Sequence, residues 1–453
     1  MPKLTPDSVV ETLRAHLAGV KSILSAEIYL VSDDVTSVLV QGSEVLRNGF
    51  FKKRSVAVRY FTKESHSFGV CSDFDSDSIT SFFNELIERS DLVLPGKRAI
   101  YPTEIPPDLK PPMTVDPTFE KTPIGEKIQR LMNLLHSFSR LDSRIQKSSR
   151  VQYQETYRKE WLWTSGSPRV VKRELTRGDV LSRVDIDDGQ SFATTETRFS
   201  ETHFLSFDWN LIAKLSVEKV KHKLASQWLG SGQFNLLLTP LASREWIKWI
   251  FGYLTSKNIS IRNHPLRDSL GKTVTNTKFR LYDDPHFAKR PGTVHWDSEG
   301  CPTRMHDFIS EGVFKQWATD RKSADLMKIP HTANSRRASA DQLPEVDFHN
   351  LILEPGLRTA LELGRQMEKG IVVYELKPLS DTRQSDDLPC LECWGSWSEN
   401  GKEMYNLRPF FIRDPLAVQL QKCVDQGRDL VWTGRVASPT VLLENVDILG
   451  GAE

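Results

Sequence analysis

The chain has 453 residues, enough for two or three domains and a sizeable core. Its 39% hydrophobic and 26% charged residues are those of an ordinary soluble globular protein, and a net charge of +1 gives no bias toward nucleic acid, polyanions or a membrane surface. No apolar run approaches the roughly 20 residues that span a bilayer, the opening MPKLTPDSVVETL lacks the apolar stretch of a secretory signal, and five widely spaced cysteines, apart from Cys390-x-x-Cys393, fit a reducing compartment better than a disulfide framework. The expectation is a cytoplasmic protein that binds neither nucleic acid nor membrane.

In chain order, Thr5-Pro6-Asp7 opens a helix with Val9, Val10, Leu13 and Leu17 on one side. Strand-like segments follow at Ala26–Val31, Val35–Val40, Ser55–Phe61 and His66–Cys71, and then a helix in which Ile79, Phe82, Phe83, Leu86 and Ile87 share a stripe. Residues 95–117 hold seven prolines, which predicts an extended strap. Thr122-Pro123 starts a helix with Ile128, Leu131, Leu135 and Phe138 on one side, short strands run from Val151 to Glu201, and Trp209–Leu229 reads as helical. Gly230-Ser231-Gly232 is the best domain boundary, giving an N-terminal domain over 1–229 and a second over 230–453. Beyond it come a buried strand at Phe234–Leu238, a helix from Thr239-Pro240 through Leu254, and a short helical turn at Asp307–Phe314. The remainder is mostly strands, at Asn350–Leu353, Gly370–Leu376, Met404–Ile412 and Pro439–Val446, with one helix near Pro415–Gln426. The expected class is α+β: an N-terminal α/β domain with a mixed sheet and covering helices, followed by a β-rich C-terminal domain.

The most informative text is Leu281–Gly300, LYDDPHFAKRPGTVHWDSEG, which continues into Cys301-Pro302-Thr303 and Gly312-Val313-Phe314. Its acids Asp283, Asp284, Asp297 and Glu299 could form a carboxylate cation site. They are also what tight turns use, because Asp bonds nearby backbone N–H groups and Gly tolerates positive φ. The turn reading is preferred, with Asp283, Asp284, His295, Asp297 and Glu299 as candidate residues of a groove or channel wall. His295 is expected to be packed or hydrogen-bonded. Cys390 and Cys393 have metal or redox spacing, but no second pair completes a tetrahedral zinc site, and two ordinary thiols is the preferred reading. Neither a G-x-S-x-G nor a P-loop is present.

This text resembles the signature of the TldD/PmbA family of modulator-of-gyrase peptidase proteins, roughly DDP…G…DDEG-x-PT…LI-x-G-VL. The likeness extends along nearly the whole chain in order. It takes in Ala26-Glu27-Ile28, Lys127, Leu141-Asp142-Ser143-Arg144, Asn334-x-x-Arg337 and Asn350-Leu351-x-x-Glu354-Pro355-Gly356. Further on it includes Gly370-Ile371-x-Val373, Glu399-Asn400-Gly401-Lys402, Ser438-Pro439 and Gly450-Gly451. The family's catalytic branch carries H-E-x-x-x-H on the helix after the Phe234–Leu238 strand, where two imidazoles hold zinc and a glutamate activates its water. Here that helix is LASREWIKWIF, with Trp246, Trp249 and Ile250 among its bulky residues and no histidine between His222 and His264. The branch's C-terminal Cys-Gly-Lys ligand segment is also missing from Gly434-Arg435-Val436-Ala437-Ser438-Pro439.

The resemblance therefore implies a PmbA/TldE-like subunit with no catalytic residue and no metal of its own. Zinc is expected on a TldD-like partner subunit, and the pair would process unfolded or modified precursor peptides. The alternatives are a protein that binds a peptide or natural product, a stand-alone hydrolase with unidentified catalytic residues, and a zinc enzyme with replacement ligands. The segment Ser380–Cys393 departs from the Thr-Gly-Asp-Phe-Ser-like loop of this branch, which implies a specialised member.

Overall fold

The computed structural model describes residues 3–63, 65–89, 91–92, 114–119, 121–224, 226–256, 259, 264–379 and 391–451. Cys390 and most of the expected proline-rich strap lie outside them.

The N-terminal region is built on a seven-stranded sheet curled into a half-barrel. In spatial order its strands are Asp91–Leu92, Ser65–Cys71, Glu44–Phe61, Ser25–Gln41, Arg150–Thr164, Val171–Asp187 and Phe192–Glu201. Alternation along Ser25–Gln41 assigns its two faces. Ala26, Ile28 and Leu30 pack against the helices Pro6–Gly19 and Ser76–Glu88, while Val38 and Val40 pack against Ile124–Leu141 and its neighbour Trp209–Lys221. The residues between them, Glu27, Tyr29 and Asp33, point to the opposite face and are also buried. Helix starts follow the sequence: the Thr5, Asp75 and Asp208 side chains accept from Ser8, Ser78 and Leu211 N–H groups at 3.2, 2.8 and 2.9 Å.

The C-terminal region holds two larger sheets. One runs Cys423–Gln426, Val441–Leu449, Gly232–Leu238, Lys369–Pro378, Leu391–Glu399, Lys402–Ile412 and Ser226–Gln227; the other runs Val313–Phe314, His306–Ser310, Leu281–Asp283, Leu351–Leu353, Val436–Ser438 and Val431–Thr433. Apolar residues of both sheets and of the helix Pro240–Leu254 form one core. No helix among the described residues is long and apolar enough to cross a membrane.

The α+β class with a β-rich C-terminal region is as expected; four details differ. The N-terminal sheet is antiparallel at every pairing, four of them hairpins between consecutive strands, and the parallel pairs lie in the C-terminal sheets. The two expected strands Ala26–Val31 and Val35–Val40 are one, with Ser32, Asp33 and Asp34 kept in the ladder by cross-strand partners. Asp307–Phe314 is a strand hairpin rather than a helical turn: Glu311 and Gly312 have φ of 52° and 71°, which reverse the chain. A Cβ on Gly312 would lie 2.5 Å from two backbone oxygens, so no other residue fits. The helix expected to reach Leu229 ends at Lys221, and Ser226–Gln227 joins the edge of a C-terminal sheet.

Candidate functional site

The strand Leu281–Asp283 delivers Asp283 to the meeting point of three loops. Its carboxylate is buried and accepts hydrogen bonds from the backbone N–H groups of His349 (3.0 Å) and Asn350 (2.6 Å) and from Asn334 Nδ2 (2.8 Å). Burial raises its pKa to about 6, and those donors limit the rise. Asn350 Oδ1 accepts from Gly292 N at 3.1 Å, and its amide donates to Asp284 O at 2.9 Å. The backbones meet so closely here that a Cβ on Gly292 would sit 1.9 Å from His349 O.

Asp297 acts in the same way farther along the loop. Oδ1 accepts from the N–H groups of Glu299 and Cys301, each at 2.9 Å, and Oδ2 accepts from Ser335 N at 3.2 Å. Its pKa also rises to about 6, chiefly through burial. Asp283 and Asp297 are thus sealed inside, where they tie loops together; they do not line an open groove, which corrects that element of the expectation. Asp284, His295 and Glu299 are half-buried. Asp284 Oδ1 accepts from His286 N at 2.9 Å, and the His286 and His295 rings meet edge to face with centroids 5.2 Å apart.

Asp297, Glu299 and Cys301 bring their ligand atoms within 4.8 Å of one another, the kind of grouping that could hold a cation. Arg321 already faces it: its Nε donates to Cys301 Sγ at 2.8 Å, and its backbone N–H donates to Glu299 Oε2 at 3.0 Å. Burial raises the Cys301 thiol pKa, keeping it protonated at neutral pH. Burial, with Asp297 and Asp320 nearby, raises Glu299 to about 8, so it is largely protonated at neutral pH. With Asp297 committed to three backbone donors and a guanidinium against the sulfur, these residues do not fit a zinc ion.

The helix Pro240–Leu254 offers no better donor set. Trp246, Ile247 and Ile250 are fully buried, and Trp246 Nε1 donates to Gln419 Oε1 at 2.9 Å. The helix's one acid, Glu245, is held by Arg244 at 2.7 Å and Lys248 at 2.8 Å. The Trp-rich face is core. Cys393 lies in the strand Leu391–Glu399, fully buried, and burial raises its thiol pKa.

Sequence reasoning missed the ionic network between the signature loops and the inner face of the half-barrel. Arg59 grips Glu27 with two hydrogen bonds of 3.1 and 2.9 Å, and Arg337 bonds the same carboxylate while lying 4.7 Å from the Tyr29 ring centroid. Burial alone would raise the Glu27 pKa; Arg337 and Arg59 together hold it below the usual value. Beside it Arg158 forks onto Asp33 with two bonds of 2.8 Å, and Arg173 bonds Glu160 and donates to Trp296 O at 3.0 Å. Farther along, Arg336 and Arg435 share Asp347, at 3.9 and 2.8 Å. Burial and the Arg435 charge lower Arg336 to about 9, and burial with Arg336 keeps His349 well below its ordinary value. The available signal was that Glu27 and Arg337 both belong to matched motifs, and here they bond each other, while the matched Asn334 donates to Asp283 and to Asp347 O. Chemically the assembly fixes loop positions and balances buried charge. Among the described residues of the network, no nucleophile is paired with a general base.

Residues 231–450 match a family model described as the PmbA/TldA metallopeptidase C-terminal domain. Among similar curated proteins, Metalloprotease PmbA of Escherichia coli O157:H7 is 24% identical over 201 residues, 44% of this chain and 42% of that protein. The zinc metalloprotease TldD homolog of Saccharolobus solfataricus is 21% identical over 295 residues, 64% of each chain. The chain thus spans about half the length of the PmbA relatives it matches, at 42% and 49%. Among solved structures, a putative modulator of a DNA gyrase from Thermotoga maritima superposes with a TM-score of 0.82 at 19% identity, covering 98% of this chain and all of that one. TldE from Thermococcus kodakarensis superposes with 0.81 at 16% identity and the same coverage. The C-terminal half of the chain is thus similar in sequence to the PmbA/TldD family of metallopeptidases, and the whole chain shares the fold of the modulator-of-gyrase and TldE structures.

Proposed function

We propose that this chain is a metal-free, TldE/PmbA-like subunit that completes a peptidase with a zinc-bearing, TldD-like partner, and that the pair acts in the cytoplasm on unfolded or modified precursor peptides. The observation that carries the reading is the helix Pro240–Leu254, where a zinc motif would require imidazoles. Trp246 and Ile250 instead fill the core, and Glu245 is bound to two cations. A metal site there would need the core to be rebuilt. The signature acids support the same reading, since two of them are consumed by backbone N–H groups. In this reading the chain contributes scaffold and channel surface, and peptide hydrolysis belongs to the partner.

The test is co-expression with a family member carrying H-E-x-x-x-H. The two chains are expected to co-purify, with about one zinc per pair and peptide cleavage abolished by chelation. Stoichiometric zinc on this chain alone, lost together with a peptidase activity of its own, would overturn the reading. So would chelator-resistant cleavage by the isolated chain, which favours a stand-alone hydrolase.

A further inference from the structure

On the helix-bearing face of the half-barrel, Pro6–Gly19 and Ser76–Glu88 cover Ile28 and Leu30, while Ile124–Leu141 and Trp209–Lys221 cover Val38 and Val40. Between the two helix pairs lie two rows of polar residues on the same face. Cross-strand pairing sets Arg54, Ser32, Lys159 and Glu174 side by side in one row and Lys52, Asp34, Tyr157 and Thr176 in the next. A cavity of about 270 Å³ opens over them, its lining including Ser32, Asp34, Lys52, Arg54, Tyr157 and Lys159. Two of its three cations are answered by the chain itself. Lys52 Nζ lies 2.9 Å from Asp34, and Lys159 Nζ lies 3.5 Å from Glu174, which also accepts from the Tyr157 hydroxyl. Arg54 is not answered. Its Nε is shut off from solvent and has no acceptor among the described residues, and the Ser32 hydroxyl beside it has no bond there either. A cationic N–H held out of water without an acceptor is costly, and an oxygen supplied by a ligand removes that cost.

We propose that this cavity binds a phosphate-type oxyanion, either inorganic phosphate or the phosphoryl group of a compact monoester. Arg54 supplies a planar fork of N–H donors, the geometry that grips phosphate oxygens in pairs. Ser32 supplies a hydroxyl from the next strand, and Lys159 an ammonium from the strand beyond it. Neighbouring strands lie about 4.8 Å apart, so these donors reach the cavity from separate directions. That arrangement suits a tetrahedral anion with several acceptor oxygens better than a planar carboxylate with two. The charge balance agrees: three cations and the single acid Asp34 line the cavity, which leaves an excess that an anion neutralises. Its volume lies just below that of drug-sized sites, so the ligand is compact. This inference lies outside the subunit reading and holds whether or not that reading is correct.

Calorimetric titration of the purified full chain with inorganic phosphate, at an ionic strength held constant with chloride, is expected to show saturable binding. Phosphate should also raise the melting temperature. O-phosphoserine in a parallel titration separates the two sources: tighter binding assigns the site to a phosphoryl group on a larger molecule, and equal or weaker binding assigns it to the free ion. Arg54→Met should weaken phosphate binding about tenfold or more, and Ser32→Ala about threefold. Arg54→Lys should fall between wild type and Arg54→Met, because the charge stays and the fork is lost. Without phosphate, Arg54→Met should melt no lower than wild type, since Arg54 has no partner to lose; only the phosphate-induced rise should vanish. Lys402→Met, which removes an exposed cation in the C-terminal region, should bind phosphate as wild type does. Three results would overturn the proposal: phosphate binding no tighter than that of acetate, an equal loss in Lys402→Met, or a phosphate-free Arg54→Met that melts below wild type.

Discussion

The helix Pro240–Leu254 and the loop Leu281–Gly300 lie in the same half of the molecule and treat polar residues in opposite ways. Along the helix, packing decides the inward positions: Trp246, Ile247 and Ile250 are fully enclosed, and the Trp246 indole N–H finds Gln419. In the loop, backbone accounting decides: Asp283 and Asp297 are buried because irregular chain leaves N–H groups that need acceptors. A conspicuous acidic motif can therefore mark how a scaffold is tied together, while the inward face of the helix is filled by tryptophan and isoleucine. Each region can be broken separately, and the losses should differ in kind.

The largest loss is expected where the network beneath the loop meets the half-barrel. Glu27→Gln removes the charge that two guanidiniums share, leaving Arg59 and Arg337 buried without their counter-ion. Chemical denaturation should show a loss of about 3–5 kcal/mol. Arg337→Met, which leaves Glu27 its bidentate bond to Arg59, should lose less. Equal losses for the two variants would contradict the shared-carboxylate arrangement. Trp246→Ala follows, at about 3–5 kcal/mol from lost burial and the cavity left behind. Its zinc content should not change, and if the variant instead lost a bound metal, the helix would not be the plain core element described above.

Asp283→Ala tests the loop's side of the comparison. It strips the acceptor from the His349 and Asn350 N–H groups and from the Asn334 amide, and about 2–3 kcal/mol should be lost. Asp283→Asn keeps one carbonyl oxygen in place and should recover some of that. If the asparagine variant were no better than alanine, ionic interaction rather than hydrogen-bond satisfaction would be the dominant role.

The difference between the regions also explains what was legible in the sequence. Asp-Asp-Pro and Asp-x-Glu-Gly announce turns because their chemistry is local, and Thr239-Pro240 announces a helix start for the same reason. The hairpin at Asp307–Phe314 reads as helical in the sequence because Phe308, Ile309 and Phe314 are spaced as ambiguously as any short apolar run, and its turn depends on Gly312 fitting against Thr275 and Asn276, far away in the chain. Arg59 and Arg173 carry no sequence signal at all. On alternating strands they look like solvated positions, and nothing local says that the second face of the half-barrel is also covered. Glu27 and Arg337 stand out as matching letters, but their meeting is a tertiary fact. The burial of Glu299 beside Asp297, Asp320 and Arg321 is tertiary for the same reason.

Glu299 gives the smallest and most specific effect. Its folded-state pKa, about 8, lies above the ordinary carboxylic value of 4.5. An acid shifted upward favours the folded state in its protonated form, so its contribution is present at low pH and is lost as pH rises from the unfolded value through the folded one. Glu299→Gln mimics the protonated side chain. The stability difference, variant minus wild type, should accordingly grow from about pH 5 to about pH 8.5. About 1–2 kcal/mol is expected, well below the full linkage value, because the side chain is only half-buried. A flat difference across that range would mean that Arg321 or Arg59 already neutralises Glu299, and that the cluster is a closed ion pair rather than a site holding a proton.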